Sequence, residues 1–229
     1  PPPCGGGGID SPRPASQRAA ALVLTAAMLT TLAAPAFAAT WRIEDGNITV
    51  KAGDTEGTNW VSQGEKEDVK DTDTVITGES DKNTVTIDTS KGDVDVTFDD
   101  LKIDVSGKTE VDGSGDGSTR ESNAAVTVQG GGDATIELDG DNKLKSGSNN
   151  AGLEKNKQES KGTLTIKDDK GKDGSLTAEG GEGGAGIGGG AERTGSNITI
   201  RGGTIEAVGG AGAALSLIHI SEPTRLDVI

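Results

Sequence analysis

Gly162 to Ala214 writes one pattern twice. The first copy reads Thr163-Leu-Thr-Ile166, then Ser175-Leu-Thr-Ala-Glu-Gly-Gly181, then Gly184-Ala-Gly-Ile187 and three glycines to Gly190. The second reads Asn197-Ile-Thr-Ile200, then Thr204-Ile-Glu-Ala-Val-Gly-Gly210, then Ala211-Gly-Ala-Ala214. Each copy has two short runs of Val, Ile, Leu and Thr, a Gly-Gly stop and a patch of small residues. Alternation of that kind, bounded by Gly and Asp, predicts short half-buried strands. Repetition of such a unit predicts a solenoid, in which neighbouring turns of chain bury one another.

Fainter copies lie upstream, at Ala134-Thr-Ile-Glu-Leu138 with Asn142-Lys-Leu-Lys-Ser-Gly147, and at Val94-Asp-Val-Thr-Phe98 with Leu101-Lys-Ile-Asp-Val-Ser-Gly107. The spacing is irregular, roughly 30 to 40 residues, which is inside the range of stacked repeats. The variable part is polar, as loops on the outside of a stack would be. Strands are also expected at Thr74-Val-Ile-Thr77 and Asn83-Thr-Val-Thr-Ile-Asp88, whereas Gly64 to Asp73 reads as a charged loop. The predicted class is all-β, a right-handed parallel β-helix that is truncated at its C-terminal end.

Composition agrees with a thin core. Of the 229 residues 31% are hydrophobic and only 2% aromatic, with 37 glycines. Small aliphatic side chains must fill the interior, and a stack whose coils touch only their neighbours can be filled that way. The net charge of −15 argues against nucleic acid, which needs a basic face.

Four segments are expected. Residues 1–39 hold upstream residues and a secretory signal peptide. Arg13 and Arg18 precede an apolar run from Ala19 to Ala34, and Pro35-Ala-Phe-Ala38 supplies a cleavage site. The run is shorter than the ~20 apolar residues of a membrane span. Residues 40–73 form an N-terminal cap region, and 74–214 the β-helix repeats. Leu215-Ser-Leu-Ile-His-Ile-Ser-Glu-Pro-Thr-Arg225 breaks the repeat and resembles a translated sequencing adapter, so 215–229 is expected to be foreign. That reading removes His219, the sole histidine, from any chemistry. Cys4, the sole cysteine, precedes the signal, so the mature chain has no thiol.

Chemistry-bearing residues are sparse. Asp112, Asp116, Asp139, Asp141, Asp168, Asp169 and Asp173 lie in oxygen-rich turns, and calcium takes six to eight such oxygens. These seven are the candidate metal ligands, with Ca²⁺ as the candidate ion; solvated acidic turns are the competing reading. Trp41 and Trp60 are either a sugar-stacking pair or packing residues. Gly180 to Gly190 lacks the Gly-Lys-Ser/Thr ending of a phosphate loop and is read as a place where coils approach closely. No Ser–His or Cys–His pair is available, and Arg193 and Arg201 are the cations that a lyase would use.

The Gly183-Gly-Ala-Gly-Ile-Gly-Gly-Gly190 block, with Leu153-Glu-Lys155 before it, resembles the secreted carbohydrate-binding, pectate-lyase-like β-helix surface proteins of gut Firmicutes. The resemblance covers roughly Val94 to Ala214. It implies export to the extracellular space or bacterial cell surface, and non-catalytic binding of plant or acidic polysaccharide, assisted by calcium. No ligand motif matches, so the resemblance assigns no binding residue. A structural stalk or adhesin, and a polysaccharide lyase or hydrolase, are the alternatives.

Overall fold

The computed structural model describes residues 37–107, 123–171 and 173–213, and the backbone of two further strands at 219–220 and 225–228. The described chain is all-β. Seventeen strands belong to one sheet, and the single helical element among the described residues is a 3-10 turn at Ile43–Asp45. In order the first strands are β1 (Phe37–Arg42), β2 (Ile48–Ala52), β3 (Asn59–Gln63), β4 (Lys66–Ser80), β5 (Val85–Thr89), β6 (Val94–Asp104), β7 (Val126–Gly130), β8 (Ala134–Asp139) and β9 (Asp141–Lys145). There follow β10 (Leu153–Glu154), β11 (Leu164–Lys167), β12 (Ser175–Glu179), β13 (Ile187–Gly188), β14 (Ile198–Ile200), β15 (Thr204–Val208), β16 (His219–Ile220) and β17 (Arg225–Val228).

Parallel pairs arrange these strands in three rows. In the first row β1, β4, β6, β8, β11, β14 and β16 pair in succession. The second row runs from the ends of β4 and β6 through β9, β12 and β15 to β17. The third contains β2, β5, β7, β10 and β13. β4 and β6 serve two rows because each turns a corner within the strand. Gly78 does so at φ 97° and Asp100 at φ 50°, and Gly140 at φ 63° marks the same corner between β8 and β9. Asp is one of the few side chains that tolerate this left-handed backbone. Asp100 also uses it, because its Oδ1 accepts a hydrogen bond from the Asp141 amide at 2.9 Å.

The sheet is mixed. β3 pairs antiparallel with β2 on one side and with the start of β4 on the other. The stretch Gly64 to Asp73, expected to be a loop, therefore contains strand from Lys66 onward. Its charged side chains do not betray this, because Lys66 to Asp68 are solvent-exposed while the backbone is held by β3.

Period-two alternation sends one side chain inward and the next outward. In-register inward residues form columns: Trp41, Ile76, Phe98 and Leu138; Val96, Ile136, Ile166 and Ile200; Val50, Ile87 and Val128. All are buried. The Gly-rich patches serve close approach, as expected. A Cβ on Gly181 would collide with the Gly147 carbonyl, and one on Gly210 with the Gly181 carbonyl. Among the described residues no helix is long and apolar enough to cross a membrane.

Candidate functional site

The outward face of the first row builds a groove of about 450 Å³. Register makes its floor. Asp95, Thr135 and Thr165 lie side by side on β6, β8 and β11, and Thr97, Glu137 and Lys167 form the adjacent line. The Arg201 amide bonds the Ile166 carbonyl, which sets Arg201 after Lys167 in that line. Asp73, Asp169 and Lys170 complete the walls.

Glu137 organises the groove. Its Oε1 accepts hydrogen bonds from the Asp169 and Lys170 amides, both at 2.7 Å, and its Oε2 lies 3.3 Å from Lys167 Nζ. The residue is 4% exposed, so these contacts replace its water. Lys167 Nζ also holds Asp169 at 2.9 Å; that hydrogen bond, then the Glu137 contacts, raises the ammonium pKa. Lys170 reaches Asp73 at 3.5 Å. Asp95 and Arg201 have no ion pair among the described residues, so the groove offers one uncommitted carboxylate and one uncommitted guanidinium three strand spacings across and two residues along, roughly 16 Å apart. Such a lining suits a chain of hydroxyls with some charge, recognised by hydrogen bonds. Glu137→Ala is expected to cost about 2 kcal/mol in urea unfolding, since it orphans two amides and a half-covered ammonium. Amide exchange at Asp169 and Lys170 should accelerate with it.

The acidic turns are dispersed among structural tasks. Asp112 and Asp116 lie outside the described residues. Asp141 accepts from the Ser175 hydroxyl at 3.0 Å and faces Lys143 at 3.5 Å. Asp168 Oδ2 accepts from the Gly174 amide at 3.2 Å. Asp169 belongs to the Lys167 pair. Asp139 stands in register with Asp99; burial, with the charges of Asp139 and Asp100 behind it, pushes the Asp99 carboxyl up. Asp173 and Asp139 both lie against Gly171. Among the described residues no three His, Cys, Asp or Glu side chains come together in a metal-binding group.

The two tryptophans do not form a pair. Trp41 is 4% exposed, and its Nε1 donates to Asp71 Oδ2 at 2.7 Å in the interior. Trp60 is half-buried on the outward side of β3, with Lys70 Nζ 5.9 Å from its ring centroid. The arginines are separate too. Arg201 is in the groove, whereas Arg193 forms an ion pair with Glu159.

A buried polar knot went unread in the sequence. Glu154, Lys155, Asn156 and Ser160 are each under 9% exposed. Lys155 Nζ donates to the carbonyls of Ser160 and Ser196 at 3.2 and 3.1 Å, and burial lowers its pKa against the pull of Asp133. Glu154 accepts from the Ala151 amide and from Asn156 Nδ2, while burial raises its carboxyl. Asn156 Oδ1 accepts from the Gly190 amide at 3.0 Å. The knot therefore pins the Gly188–Gly190 segment to Lys155 and Asn156. Its sequence signal was Leu153-Glu-Lys155, charged residues set beside a β-type apolar residue.

No family model, curated protein or solved structure matches this chain.

Proposed function

We propose that the three rows are the faces of a right-handed parallel β-helix, and that the protein is a secreted or cell-surface carbohydrate-binding module without catalytic activity. The first-row groove carries this reading. It is long, polar and lined with hydroxyl, carboxylate, ammonium and guanidinium groups at strand spacing, the donors and acceptors that a polysaccharide presents partners for. Its central carboxylate, Glu137, is committed to two backbone amides and a lysine rather than poised for proton transfer. Calcium, if the acidic turns take it up, would bridge acidic sugars to the surface.

The test is retention of the purified protein on neutral and acidic polysaccharides, with Ca²⁺ and with chelator, while the same tubes are assayed for chain cleavage. Retention without cleavage is expected, weakened about tenfold by Arg201→Ala or Asp95→Ala, the loss of one well-made polar contact. Cleavage would replace this reading with a lyase or hydrolase. Absence of retention on every glycan would leave a structural stalk. Loss of retention in chelator would assign the calcium role. An experimental structure checks the hand of the coils.

A further inference from the structure

The outward face of the third row carries a second surface, whose residues are not among those lining the groove. Cross-strand pairing places Trp60 between Lys51 of β2 and Lys70 of β4. Asp88 of β5 and Gln129 of β7 continue the same line beyond Lys51. Along β3 the alternation is clear: Asn59, Val61 and Gln63 are buried, Trp60 and Ser62 face out. The result is a flat, polar, multi-strand face with one indole on it.

Charge distinguishes this face from the rest of the molecule. Lys70 has no ion pair among the described residues and rests near the indole. Lys51 Nζ holds Asp68 at 3.1 Å. The Lys51 contact, with Lys91 adding its charge, keeps the Asp68 carboxyl below its ordinary range. Three lysines thus gather where two carboxylates, Asp68 and Asp88, stand, in a chain with net charge −15.

An indole is a large rigid apolar plane, and the C–H face of a pyranose packs on such a plane. An ammonium at the rim supplies a charge-assisted bond to an acid on the ring, roughly twice as strong as a neutral one. We propose that Trp60 is a stacking platform for a pyranose that carries an acidic substituent. The Lys70 and Lys51 ammonium groups receive the acid, and Asp88 and Gln129 receive ring hydroxyls. A polynucleotide also joins flat rings to acids, but the overall negative charge repels a polyphosphate. A protein partner would need a broader apolar centre than one indole among charges. The inference rests on the glycan reading above and names the sugar class for residues outside the groove's lining.

Acrylamide quenching of tryptophan fluorescence tests it, because Trp41 is shielded and Trp60 supplies the quenchable signal. Three probes are used: a short oligogalacturonide, a sulfated galactan oligosaccharide and a neutral cello-oligosaccharide. Protection of Trp60 by either acidic probe is expected at millimolar concentration, with the neutral probe about tenfold weaker. The uronate and sulfate arms identify which acid is preferred. Lys70→Gln, a solvent-side change that leaves the fold intact, should weaken the acidic probe about tenfold by calorimetry and flatten its salt dependence. Trp60→Ala should abolish binding of the short probes. No protection by either acid, or equal protection by acidic and neutral sugars, overturns the proposal. Retention on the polysaccharide panel, run in parallel, separates the two claims: retention sensitive to Arg201→Ala with Trp60 unprotected removes this site alone, and no retention with no protection removes both.

Discussion

Phe98→Ala is expected to lower the unfolding free energy by about 3–5 kcal/mol, the cost of emptying a fully buried aromatic site. Phe98 is 0% exposed and heads the set of large buried side chains. It stands in a column between Ile76 of β4 and Leu138 of β8. In most folds neighbouring side chains relax into such a hole. Here they are fixed in register by backbone ladders on both sides, and the interior holds little besides Ile, Val, Leu and Ala that could swing over. The cavity should stay open. Urea titration followed by circular dichroism measures the loss, and Phe98→Leu should recover more than half of it. A loss under about 1 kcal/mol would mean that the column is loosely packed.

The second large effect needs only one carbon. Gly181→Ala should destabilise by about 3 kcal/mol, the upper end for overpacking, because the atom it meets is backbone. A Cβ there falls far inside van der Waals contact with the Gly147 carbonyl. Neither partner is a side chain that can rotate away. Gly210 repeats the geometry against Gly181, so Gly210→Ala should behave alike. Gly131 gives the control: nothing lies within 4 Å of its would-be Cβ, and Gly131→Ala should change stability by less than about 0.5 kcal/mol. Thermal melts of the three variants decide it. Equal effects at all three positions would show that loss of backbone freedom, not collision, governs these glycines.

The strands were legible because their signal is local. Leu164 to Ile166, Leu176 to Ala178 and Ile198 to Ile200 each alternate within a few residues, and each is a strand in the structure. The close approach of glycines was legible for a similar reason, since Gly-Gly doublets recur at one place in the repeat. What lay beyond reading was whatever depends on register. Glu137 looks like any outward residue of a strand until β11 brings the Asp169 and Lys170 amides to it from 32 and 33 residues away. Lys155 looks solvated until the Ser196 carbonyl, 41 residues on, accepts its hydrogen bond. Trp41 and Trp60 look equivalent, yet one is on the inward phase of β1 and the other on the outward phase of β3. Asn142 looks like any strand residue until its side chain bonds the carbonyls of Asp139 and, 33 residues on, Ser175. The first-row groove joins residues from four strands and the segments that follow β11 and β14, and no window of sequence contains it.

The antiparallel strand β3 gives the third row a direction. β2 exposes two edges, and β3 takes the one that β5 does not. A strand offered to that side finds its hydrogen bonds already spent, whereas each strand on the other side leaves a fresh edge for its successor. The row is therefore seeded at one end and extends only away from it. A chain that emerges N-terminus first would present its finished end before its growing one, so that each new strand meets a template and no two seeds can zip together through this row.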